Sequence, residues 1–119
     1  MENKEIEKGH VFVLADAVKY VPDSVTSHVI LRKATGTVNV ISIDSGKELI
    51  ERTSPFDMFI LVIEGCGEVR IEAKSFTLDA GQAIIIPAHA RNSIIGIDRF
   101  KIVSTVIKSG YEEVIFNGL

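Results

Sequence analysis

Thr37-Val-Asn-Val-Ile-Ser-Ile43 alternates with a period of two on both of its faces: Val38 and Val40 fall on one side, Ile41 and Ile43 on the other. Phe100-Lys-Ile-Val-Ser-Thr-Val-Ile107 repeats the pattern, with Phe100, Ile102, Ser104 and Val106 sharing a face. Val, Ile, Thr and Phe dominate both segments, and each is a strand former. Apolar residues on both faces of a strand call for cover on both sides, as in a sandwich, a barrel or a dimer. Outward from these segments, turn signals recur at short intervals: Pro22-Asp-Ser, Ala34-Thr-Gly, Asp44-Ser-Gly, Thr53-Ser-Pro, Gly65-Cys-Gly, Ala80-Gly and Ser109-Gly. They delimit strands near residues 11–14, 25–33, 37–43, 48–53, 58–64, 67–72, 75–78, 83–87, 91–96 and 99–108. No long stretch carries a capped helical period, and Val13–Val18 is the best short candidate. Many short strands at this spacing predict one all-β domain, a sandwich or barrel.

The 119 residues suffice for one domain and not for two full cores. Hydrophobic residues at 46% and charged residues at 24% match an ordinary globular chain, which excludes wholesale disorder, collagen and coiled coil. A net charge of −3, scattered Lys and Arg, and a pI near 5.6 argue against nucleic-acid binding, which needs a basic face. The longest apolar runs, Met58–Ile63 and Ala83–Ile86, fall far short of the roughly 20 residues of a membrane helix, so no membrane partner is expected. The charged start, Met1-Glu-Asn-Lys-Glu-Ile-Glu-Lys8, does not read as a signal peptide. One cysteine, Cys66, cannot form an internal disulfide, which points to a reducing, cytoplasmic compartment.

Two segments resemble the paired motifs of the cupin family, small jelly-roll barrels. The first motif runs Gly, five residues, His-x-His, three or four residues, Glu, six residues, Gly; here Gly46, Arg52, Ser54, Met58 and Gly65 stand at those spacings. The second runs Gly, five residues, Pro-x-Gly, two residues, His, three residues, Asn; here Gly81, Pro87, His89, Asn92 and Gly96 take those places. The likeness spans roughly residues 25 to 108 and extends to Val62-Ile-Glu-Gly65 and to the final strand. It implies a single antiparallel jelly-roll barrel over residues 25–119, preceded by an arm, residues 1–24, that packs on the barrel or on a dimer partner. It also implies a homodimer, since small cupins commonly pair through an intermolecular sheet.

The departures from the motifs carry the functional reading. Metal-binding cupins hold a divalent ion with two His, a Glu and a third His, and the matching positions here are Arg52, Ser54, Met58 and Asn92. A guanidinium has no lone pair to give. Ser and Asn are weak neutral ligands, and a thioether suits copper(I) rather than iron, manganese or zinc. No metal and no other cofactor are expected, and the family's metal-dependent chemistry does not transfer. If these four side chains line the barrel with Ile60 as apolar wall, they form a small-molecule pocket, and Arg52 would grip a carboxylate or phosphate on a small anionic ligand. Arg52 has competing partners in Glu48, Glu51, Asp57 and solvent. The function read from this is a metal-free binding or sensing module. The alternative is a cupin enzyme of isomerase or oxygenase type with a non-standard site, drawing on His89, His28 or Asp57. His10, His28 and His89 lie too far apart in sequence to signal a metal site. His89 is expected in a turn or facing away from the cavity, and Cys66 reads as an ordinary thiol.

Overall fold

The computed structural model describes residues 5–51 and 53–108. It is all-β and antiparallel throughout, with strands β1 (Val25–Lys33), β2 (Gly36–Ile43), β3 (Glu48–Glu51), β4 (Met58–Ile71), β5 (Lys74–Asp79), β6 (Ala83–Ile86) and β7 (Asn92–Ile107). Two long strands form its spine. β4 and β7 pair from Met58 opposite Val106 to Ile71 opposite Asn92. The first half of β4 carries β6 on its other edge and the second half carries β5. Likewise the second half of β7 pairs with β2, itself flanked by β1, while its first half pairs with β3. Each spine strand therefore serves two layers, β1-β2-β7-β4-β6 and β3-β7-β4-β5, as a jelly roll requires.

The change of layer explains a difference from the sequence reading. Gly65-Cys-Gly67 does not end one strand and begin another; β4 runs on through it, with register shifts between Val62 and Glu64 and between Gly65 and Gly67. In the same way the segments read as 91–96 and 99–108 are one strand, β7. A bulge bends a strand and increases its twist without taking it out of the ladder, so turn chemistry appears where no turn exists. Gly65 has a φ of +81°, and a Cβ there would strike the Arg99 carbonyl and the Phe100 backbone. At Gly67 a Cβ would occupy the Phe100 ring. The missing side chains let the bend close over that ring, which is fully buried.

Between the layers lies a core of Ile41, Ile43, Ile60, Val62, Val69, Ile94, Phe100 and Ile102, with Met58, Leu78 and Ile86 at its margins. Its members alternate along each strand, and burying each large side chain contributes about 1.5–3 kcal/mol. The opposite face of β2 and β7 is apolar too, and Val40 and Val103, paired across it, are buried outside that core. The chain's own arm provides cover there. Residues 11–13 join no strand; instead a single 3-10 turn, Leu14–Ala17, entered from an extended Val13, leads across the sheet. Lys101 donates from Nζ to the Ala15 carbonyl, and the Ser42 and Thr26 hydroxyls each donate to the Lys19 carbonyl at 3.0 Å. Tyr20 donates to the Glu64 carboxylate at 2.7 Å. The strand formers of Val11-Phe-Val-Leu14 pair with none of the strands, and the backbone and side-chain anchors that follow them hold the arm instead.

Candidate functional site

The concave face ends in an open mouth. β2 contributes Thr37 and Asn39 from the face that further along carries Ile41 and Ile43. β7 contributes Val106, opposite Thr37, and β3 contributes Leu49, opposite Ile94. The loop after β3 closes the rim with Thr53, Ser54, Pro55 and Phe56, and Lys108 stands at its edge. These groups line a groove of about 610 Å³. Its polar groups are hydroxyls and one amide, with the Lys108 ammonium exposed to solvent.

Arg52 lies outside the described residues. Ser54 is half-buried on the mouth; its hydroxyl accepts the Phe56 N–H at 3.1 Å and its carbonyl accepts the His89 N–H. Met58 and Ile60 belong to the buried core, with Ile60 fully enclosed. Asn92 is 7% exposed, and register places it opposite Glu51, two pairs beyond Leu49 and Ile94 along the β3–β7 ladder. Ser54 lines the mouth groove, and Met58, Ile60 and Asn92 do not. Thr37, Asn39, Leu49 and Thr53 are mouth residues that motif spacing did not single out. Thr37, Asn39 and Leu49 come from strands whose approach to the motif loop only the topology reveals, and Thr53 is Ser54's neighbour in that loop.

The two carboxamide ends of Asn92 are distinguishable. Its Nδ2 donates to the Ala90 carbonyl at 3.3 Å, and a carbonyl only accepts, so this contact settles which end is oxygen. The other end, Oδ1, is buried with no hydrogen-bond partner among the described residues.

The donor set does not fit a divalent cation. Ser54, Met58 and Asn92 offer a hydroxyl, a thioether and a carboxamide, none of them a strong ligand for zinc, iron or manganese. Among the described residues no three His, Cys, Asp or Glu side chains cluster as a metal site. His89 sits in the turn before β7 with a φ of +70°, the position where the family motif has glycine, and its side chain is exposed. Cys66 faces Asp79 across the β4–β5 ladder, and that carboxylate, with desolvation, pushes the thiol's pKa up and favours its protonated, poorly nucleophilic form. No helix among the described residues is long and apolar enough to cross a membrane.

No family model and no curated protein matches the chain. Solved structures do match. A conserved protein of unknown function from Streptococcus pyogenes superposes with a TM-score of 0.82 at 25% identity, over 91% of this chain and 96% of that one. A cupin superfamily protein from Desulfitobacterium hafniense also reaches 0.82, at 18% identity, covering 92% and 100%. The chain has the cupin fold. A cupin 2 conserved barrel domain protein from Leptotrichia buccalis, at 23% identity and a TM-score of 0.78, covers 82% of this cupin-fold chain and 47% of its own length. In this chain the motif glycines, Pro87 and the strand spacing are kept, while Ser54, Met58 and Asn92 stand at the motif positions where metal-binding cupins carry their ligands.

Proposed function

We propose that this cupin is a metal-independent small-molecule binding module whose ligand occupies the mouth of the barrel. The observation that supports it is a groove of about 610 Å³ lined by Thr37, Asn39, Thr53 and Ser54 beside apolar Leu49, Phe56 and Val106. Concave, largely apolar surfaces with a few convergent polar groups are where small ligands bind. The reading also includes a homodimer, supported by apolar side chains left open on the outer face: Phe59, Ile85 and Ile107 there, and Val11, Phe12 and Val13 on the arm.

The test is a metabolite screen by thermal shift and titration calorimetry on protein exhaustively treated with EDTA. Saturable binding, unchanged when EDTA is present and weakened by Thr37→Val or Ser54→Ala, is expected. Binding that appears only with an added divalent metal, or no binding across the screen, would overturn the reading. The anionic version of the ligand rests on Arg52, so Arg52→Ala should abolish binding of any carboxylate or phosphate hit.

A further inference from the structure

The outer face of the sheet holds a second concavity. Phe59 on β4 stands opposite Thr105 on β7 and opposite Ile85 on β6, so the three form one row facing away from Ile60 and the core. Ile107 and Asp57, with Phe56 and Ala88, complete a groove of about 420 Å³. It is distinct from the mouth. Val106 lines the mouth, whereas its neighbours Thr105 and Ile107 line this groove, and alternate residues of a strand face opposite sides. Pro55 and Phe56 border both, and no other residue does.

Apolar walls accept any apolar body of the right size, and the carboxylate selects what that body carries. Asp57 is the one charged side chain lining the groove, and among the described residues it forms no ion pair. Its Oδ1 accepts the Ala88 N–H at 2.8 Å, which anchors the carboxylate and leaves further lone pairs on both oxygens. A cation there also gains from the negative faces of aromatic rings, and Phe56 and Phe59 supply two. An anion would meet like charge. We propose that this groove binds a small amine, an ammonium group on an aromatic or aliphatic body, with the ammonium on Asp57 and the body against Phe59, Ile85 and Ile107. The site and its ligand go beyond the mouth reading above. The groove shares Phe59, Ile85 and Ile107 with the face proposed for pairing, so a bound amine and a second copy compete for it.

The experiment is ligand-observed NMR on dilute protein, where mass action disfavours pairing. The panel holds benzylamine and hexylamine, the neutral benzyl alcohol and hexanol, and the anionic benzoate and hexanoate. At neutral pH the amines should bind saturably and more tightly than the alcohols of the same shape, with the carboxylates weakest. Asp57→Asn keeps an acceptor for the Ala88 N–H and loses the charge. It should weaken amine binding roughly tenfold and leave the alcohols unchanged. Raising the salt concentration should narrow the gap between amine and alcohol, because Asp57 is exposed. Ile85→Lys, at an exposed side chain, sets a like charge in the groove and should abolish amine binding. That variant keeps the proposal testable where Asp57→Asn does not fold. Amines that bind no more tightly than alcohols would overturn the proposal, as would amine binding that ignores either substitution. Silence across the amines would overturn it too, and silence from a protein that light scattering finds dimeric would give the groove to a second copy.

Discussion

Adding a methyl group at Gly65 places a Cβ against the Arg99 carbonyl and the Phe100 backbone, at a φ of +81° that L side chains rarely adopt. Gly46 has nearly the same φ, +78°, but nothing within 4 Å of where its Cβ would be. The pair separates two costs that are usually measured together. Gly46→Ala carries the left-handed backbone alone, about 1–2 kcal/mol. Gly65→Ala adds overpacking against backbone that cannot move aside, for a total of about 2–5 kcal/mol. Urea unfolding of the two variants checks this. Equal losses would mean that the crossing between layers is looser than its geometry implies.

The arm hangs on a compact set of contacts around Tyr20. Its hydroxyl donates to Glu64, Arg99 lies 4.4 Å from its ring centroid, and Lys101 reaches both Glu64, at 3.8 Å, and the Ala15 carbonyl. Burial, then the bond to Glu64 and that residue's charge, raise the Tyr20 pKa above its ordinary value of 10. The folded state therefore favours the neutral phenol. Its contribution is fully present below about pH 10 and is lost as pH climbs toward the folded-state value. Tyr20→Phe should cost about 1 kcal/mol at neutral pH, the low end because Glu64 is partly exposed. It should also flatten the fall in melting temperature above pH 10, and parallel alkaline limbs for the two proteins would refute the assignment. The arm shows why element identity was only partly legible beforehand. Val11–Leu14 has strand-forming residues, but a strand needs an edge to pair with, and composition does not say where edges are. β1, β2 and β6 were legible because each is a short run rich in strand formers and bounded by real turns. β4 and β7 were read as broken because glycine serves turns and bulges alike, and only Phe100, more than thirty residues downstream of Gly67, tells them apart. The site followed the same rule: of the mouth residues Ser54 was marked by motif spacing, whereas Thr37 and Asn39 arrive there through β2–β7 pairing that no local pattern records.

At the scale of the whole molecule, the sheet's outer face is covered by the arm at Val40 and Val103 and open at Phe59, Ile85 and Ile107. Ile85 is 60% exposed and Ile107 71%, so both can be made polar without touching the core. Light scattering at tens of micromolar should give twice the 13.0 kDa chain mass, and the Ile85→Lys, Ile107→Lys double variant should give one. A monomeric wild type, or a double variant that stays dimeric, would contradict pairing through this face. The spine has a consequence for how the chain reaches this shape at all. β4 needs β7 along most of its length, and β2 has β7 as its second neighbour, yet β7 is the last of these seven strands to leave the ribosome. Until it does, a nascent chain can form the β1–β2 hairpin and the local β4–β5 pairing but cannot close either layer. Such non-local closure is slow, in the millisecond-to-second range for β-rich domains of high contact order. During translation β2 offers an unpaired apolar edge to any neighbour, so the yield of native protein depends on how long that edge waits.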